Sequence, residues 1–133
     1  MMTGNDEDRD LGRHNCEPCE RQTEEMDLTE EDELFGALSG WGREPESGVR
    51  KLVKTYRFRN FVEAIQFAND VKDISEKENH HPSLLIEWGR VTVSWWTHTA
   101  GGLRRNDYIM AAKTDLVYAV NNLIHRLQTI PET

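Results

Sequence analysis

The chain is predicted to be an α+β protein whose helices pack on one face of a small, mostly antiparallel sheet. Three observations predict this. Helical and strand-like periodicities follow one another in the order helix, strand, helix, strand, strand, helix. Two alternating runs, SLLIEW at 83–88 and VTVSWWTH at 91–98, flank Gly89-Arg90 and so read as a hairpin. The length of 133 residues suits one domain, with no internal repeat and 37% hydrophobic residues to build one core.

Each element has its own signal. Residues 1–26 lack periodicity and are rich in Asp, Glu, Arg and Asn, so they read as a flexible acidic extension ahead of a single domain over 27–133. A helix starts near Leu28, with Thr29 able to cap it and acids in the first turn where the helix dipole favours them. Leu34, Phe35 and Leu38 give it a short apolar face, and Ser39-Gly40 ends it. Residues 42–48 (GREPESG) read as a turn or loop, and Trp41 to Glu44 could hide a further strand. Leu52 to Phe58 alternates with Leu52, Tyr56 and Phe58 on one face, which is a strand pattern. Asn60 can cap a helix over 61–75, where Phe61, Ile65, Ala68, Val71 and Ile74 recur at helical spacing. Pro82 blocks its continuation. After the hairpin, Gly101-Gly102 mark a loop over 99–104. A final helix over about 105–128 carries Ile109, Ala112, Leu116, Val120, Leu123 and Leu127 as its apolar face.

Charge and composition exclude several roles. The net charge is −8. Residues 1–48 hold 15 acids and 4 bases, whereas residues 49–133 hold 9 acids and 12 bases. An acidic first third repels phosphate, so nucleic acid is not the expected partner. No stretch approaches the roughly 18 apolar residues of a membrane helix, so no membrane role is expected. MMTGNDEDRDLGRHN has no apolar signal region, and cytoplasm is the default localisation. Cys16 and Cys19 lie too close together to staple a fold, and Cys16-Glu17-Pro18-Cys19 alone cannot complete a structural zinc site, although His14 could add a ligand. A loose thiol pair is the plainer reading.

The histidines carry the chemistry. Isolated ones are ordinarily surface groups or satisfied core groups, and His14 and His125 are read that way. His80, His81 and His98 are different. In a hairpin the start of one strand lies beside the end of its partner, so residues 80–82 and 97–99 should be neighbours, with Asp107 just beyond the following loop. Imidazole titrates at about pH 6.5 and can both give and take a proton near neutrality. Pro82 holds His81 in extended geometry, which aims His80 and His81 in opposite directions. Zinc is the obvious competitor, but no helical His-x-x-x-His or His-Glu-x-x-His spacing is present. Trp96 shares a strand face with Ser94 and His98 and could flank a flat ring; core or interface packing is the ordinary use of Trp95 and Trp96.

These residues carry a resemblance. The run Glu76-Lys77-Glu78-Asn79-His80-His81-Pro82, then Trp88, Thr97-His98 and Asp107, resembles the signature of the pterin-4a-carbinolamine dehydratase family in both residues and gaps, over roughly 28–120. EWGRVTVSWWTH and RRNDYIMAAKTD are most similar to its bacterial branch. The resemblance implies a four-stranded antiparallel sheet with about three helices on one face, and a homodimer or homotetramer. It implies no metal and no cofactor, the pterin being the substrate. The implied reaction is dehydration of a 4a-hydroxytetrahydropterin to quinonoid dihydropterin and water, a lyase reaction that recycles the cofactor of an aromatic amino acid hydroxylase. By carry-over His80 and His98 match the acid/base pair, His81 a substrate-holding histidine, and Asp107 and Glu76 supporting carboxylates. Substrate contacts fall on Glu76, Asn79, His80, His81, Trp96, Thr97, His98 and Thr99. Leu84 and Trp96 depart from members with an aromatic and a small residue there. The alternative reading is a non-catalytic module that binds or dimerises a partner protein.

Overall fold

The structure, a computed structural model, describes residues 11–16 and 26–128. Helix α1 spans Leu28–Gly36. Asp27 caps it, its carboxylate accepting from the Glu30 amide at 2.8 Å, so the cap is not the expected Thr29. Asp27 is the residue whose extended backbone sits one step before the first helical turn. The segment expected as a loop over 42–48 is mostly strand. Strand β1 (Gly42–Glu46) turns at Ser47-Gly48, both in the left-handed region, into β2 (Val49–Arg57). Pro45 is tolerated because β1 lies at the sheet edge.

Helix α2 (Phe61–Glu78) is capped by Asn60, which accepts from the Glu63 amide at 2.8 Å. It runs three residues past the expected end and stops at Asn79, whose left-handed backbone closes it. Strands β3 (Ser83–Glu87) and β4 (Arg90–Trp95) form the expected hairpin around Trp88-Gly89. The sheet order is β1-β2-β4-β3, every pair antiparallel. The fold is therefore α+β with a four-stranded antiparallel sheet.

Strand alternation sets the core. Leu52, Tyr56, Val91, Val93 and Trp95 face the helices and are buried against Phe67 and Val71 of α2 and Tyr108, Ile109 and Met110 of the last helix, α3 (Arg105–Gln128). Val53, Thr55, Thr92, Ser94 and Leu85 lie on the opposite face. Three polar ends within this core side meet at Asp115, which accepts from Trp41 Nε1 at 3.0 Å, Lys54 Nζ at 2.8 Å and the Tyr56 hydroxyl. Such partners are what buried aromatic hydroxyls and indoles require.

Two expectations fail here. Beyond residue 112 the predicted apolar face of α3 is not the buried one. Leu116, Val120, Leu123 and Leu127 are 50–62% exposed, while Thr114 and Asn121 are buried. Helix α2 fixes the rotation: Asn121 Nδ2 donates to Asp70, and Tyr118 packs edge-on against Phe67. The second correction concerns the extension over 1–26. Within it, Leu11–Arg13 forms a 3-10 turn with Leu11 fully buried against α3, so Leu11–Cys16 is packed structure. The other residues of that extension, Cys19 among them, lie outside the described residues, except Met26, which packs against the core. No described helix is long and apolar enough to cross a membrane.

Candidate active site

The site is assembled where α2 ends, β4 ends and α3 begins. Helix α2 closes at Asn79, and the His80 amide turns back to donate to Ser75 O at 3.1 Å. This fold-back drives the His80 ring inward. It is 8% exposed and lies parallel to buried Trp95, ring centres 5.8 Å apart and planes 7° apart. Its Nε2 is 2.7 Å from Asp107 Oδ1.

Asp107 is completely buried in the first turn of α3. Its other oxygen, Oδ2, accepts from the Thr97 hydroxyl at 2.7 Å and from the Arg104 amide at 2.8 Å. The second bond returns from the third helical position to the residue ahead of the helix, one half of a capping box. Asp107 thus ties the end of β4, the start of α3 and His80 together. The Thr97 hydroxyl and the Arg104 amide both donate to this carboxylate, and His80 Nε2 lies within hydrogen-bond distance of it. With the carboxylate as acceptor the hydrogen sits on His80 Nε2, leaving Nδ1 as the second ring nitrogen.

His81 points the other way, as Pro82 predicts. It is exposed, and its Nε2 lies 2.5 Å from Glu76 Oε2, one helical turn back on α2. His98 is also exposed, in the 3-10 turn His98–Ala100 that follows β4. Its ring lies against Trp96 with centres 4.2 Å apart, and its Nε2 is 3.4 Å from the His81 carbonyl oxygen. Lys51 Nζ sits 3.9 Å from the centre of the Trp96 ring, a cation–π contact on the open face of the sheet.

The structure therefore brings His80, His81, His98, Asp107, Glu76, Trp96 and Thr97 to one end of the sheet. They divide into a buried layer, with His80, Asp107 and Thr97, and an exposed layer, with His81, Glu76 and His98 beside partly buried Trp96. The Thr97 hydroxyl is spent on Asp107, and its amide donates to Gly102 O at 2.8 Å. Asn79 and Thr99 are exposed at the rim. Trp95 packs in the core as expected and is also the flat wall behind His80. Sequence reasoning missed one participant, Lys51. Lys51 lies beside Trp96 because those positions adjoin across β2 and β4, a pairing with no local signature. Among the described residues no three His, Cys, Asp or Glu side chains are grouped to hold a metal ion.

An α+β scaffold thus gathers three imidazoles and two carboxylates at one sheet end, the residue types that general acid–base chemistry draws on. Comparison with known proteins gives it a family. Residues 24–117 match the family described as pterin 4 alpha carbinolamine dehydratase. A protein of Saccharophagus degradans named "Putative pterin-4-alpha-carbinolamine dehydratase" is 40% identical over 109 residues, 82% of this chain and 96% of that one. A protein of the same name from Microcystis aeruginosa is 44% identical over 113 residues, 85% of this chain and 97% of its own. A solved structure titled as a transcriptional coactivator/pterin dehydratase from Brucella melitensis superposes with a TM-score of 0.63 at 27% identity, covering 71% of this chain and 99% of that one. The chain belongs to the pterin-4a-carbinolamine dehydratase family.

Proposed function

We propose that the chain dehydrates 4a-hydroxytetrahydropterin to quinonoid dihydropterin by histidine acid/base catalysis, returning a reduced-pterin cofactor toward reuse after an aromatic amino acid hydroxylase has spent it. The observation that carries the reading is the buried His80–Asp107 pair backed by Trp95, with His98 and His81 on the same sheet end.

The reaction breaks the C4a–O bond. One proton goes to the departing hydroxyl, which leaves as water. One proton leaves N5, whose electron pair forms the N5=C4a double bond. The enzyme ends with the protons it began with, so one group must give and one must take. His80 and His98 fill these roles. Asp107 holds His80 through Nε2, which presents Nδ1 for exchange. His81, steadied by Glu76, and Trp96, beside His98, offer polar and flat surfaces to hold the bicyclic ring. Asn79, Thr97 and Thr99 complete the substrate-side segments. The site needs no metal or cofactor for these steps, the pterin being substrate.

The test is the rate of carbinolamine loss, followed by ultraviolet absorbance, for wild type beside His80→Ala. A positioned acid or base is worth about 10²–10⁴-fold, so the variant should lose about 10²-fold or more. A wild-type protein that leaves the uncatalysed rate unchanged would overturn the activity, and an undiminished His80→Ala the site.

A second reading, a protein-binding module, has one observation in its favour: the exposed row Leu116, Val120, Leu123 and Leu127 along α3. Rows of this kind are covered in functional assemblies. Within the proposed function the cover is a second copy of the chain, giving a homodimer or homotetramer in the cytoplasm. A stoichiometric foreign partner recovered with a catalytically silent protein would favour the module instead.

A further inference from the structure

Leu11–Cys16 lies outside the residues that match the family; it packs along α3, which carries Asp107, and reaches the last residue of α2, two before His80. Leu11 is buried in the core. Gly12 lies so close to α3 that a Cβ there would stand 2.6 Å from Leu116 Cδ1 and 3.2 Å from the Ala112 carbonyl. The Gly12 carbonyl accepts from Lys113 Nζ at 3.0 Å. His14 Nδ1 lies 3.3 Å from Arg105 Nη2, at the first residue of α3 and two before Asp107. The Cys16 amide donates to Glu78 Oε1 at 2.7 Å, at the last residue of α2 and two before His80. Elsewhere polar side chains of α2, from its middle back to its first turn, meet α3 through Asp70 with Asn121 and Glu63 near His125.

We propose that Leu11–Cys16 is a positioning strap, which clamps the end of α2 to the start of α3 and so holds His80 against Asp107. The proposal rests on the reading of that pair as the reactive one. The strap touches no reacting atom in this account. It acts by fixing the distance between two backbone segments, and small displacements of a catalytic group cost rate steeply. Its thiol supplies a reporter. Burial, and next the Glu78 carboxylate, push the Cys16 thiol up to about 12. A thiol released to solvent returns to about 8.5, and only the thiolate reacts. Docked Cys16 therefore alkylates slowly and released Cys16 fast.

The experiment uses the full chain with Cys19→Ser, so that Cys16 is the one thiol. Alkylation by iodoacetamide at pH 8, the ring-nitrogen NMR signal of His80, and kcat and KM for carbinolamine dehydration are read in the parent, Gly12→Val, Glu78→Ala and Glu78→Gln. In the parent, alkylation should run at least about 10²-fold slower than in denatured chain. Gly12→Val should speed it by tenfold or more, move the His80 signal and lower kcat about tenfold with a smaller change in KM. Glu78→Ala should do the same to a lesser degree. Glu78→Gln retains a carbonyl acceptor for the Cys16 amide and should keep the parent's kcat, KM and His80 signal, its alkylation sped only by loss of the carboxylate's charge. Parent Cys16 that reacts like denatured chain, or variants that free Cys16 while the His80 signal stays fixed, would overturn the strap. Should Gly12→Val fail to fold, the two Glu78 variants decide the matter. A His80 signal that moves on release in a protein without dehydratase activity supports the strap and rejects the activity, so the two readings fail separately.

Discussion

His80 and Asp107 are 27 residues apart in the chain and 2.7 Å apart in space. Asp107 also binds the Thr97 hydroxyl and the Arg104 amide. Every acceptor it offers in these contacts meets a donor. Asp107→Asn keeps the size but turns one acceptor into a donor. It removes the charge that fixes the His80 tautomer and sets an NH₂ against a donor. Turnover should fall about 10²-fold, and unfolding in urea should show a loss of about 1–3 kcal/mol. Normal turnover with normal stability would contradict the geometry.

Trp95 is buried completely, donates Nε1–H to Thr114 Oγ1 at 3.0 Å and backs His80. Trp95→Ala should cost about 3–5 kcal/mol in chemical denaturation. Trp95→Phe keeps a flat wall and loses the Thr114 bond, so it should cost less and retain most of the activity. A Phe variant as inactive as His80→Ala would show that the indole does more than pack.

Alkaline unfolding should be governed by tyrosine. Burial, and next the neighbouring carboxylates Asp115 and Glu31, raise the hydroxyls of Tyr56 and Tyr108 above the ordinary range. Because the folded values lie above the unfolded one, their contribution is fully present below about pH 10. It is lost as the pH climbs from there toward the folded values. Phenolate absorbance should therefore rise together with the loss of circular dichroism. Ionisation of both buried hydroxyls at the ordinary value in folded protein would refute this.

The exposed row on α3 gives an assembly prediction. Light scattering of the wild type should report a homo-oligomer. Leu123→Asp should reduce the mass and leave fold stability within about 0.5 kcal/mol, since the residue is 58% exposed in the single chain. A monomeric wild type, or an unaltered mass in the variant, would exclude this row as the contact.

The fold was legible wherever the signal was local. Period-two alternation around Gly89 gave the β3–β4 hairpin. That hairpin alone was enough to bring His98 beside His81. Asn60 announced α2 correctly. Strand β1 was harder, because GREPE has no apolar alternation and is a strand through its pairing with β2. The rotation of α3 could not be read locally either. Its second half carries two candidate faces at helical spacing, and contacts with Asp70 and Phe67 chose the less apolar one. Leu11 offered one apolar residue in a polar run, and its burial depends on a groove built by residues about a hundred positions later.

Asp107 serves two masters. It starts a 24-residue helix and it holds an imidazole. Selection for a sound scaffold alone would therefore preserve it in a lineage that had abandoned chemistry. His80 has no such second employment in helix architecture. Among descendants of this chain, the imidazole should be surrendered before the carboxylate, and a survey that counts the aspartate as a badge of activity would enrol dead enzymes with living ones.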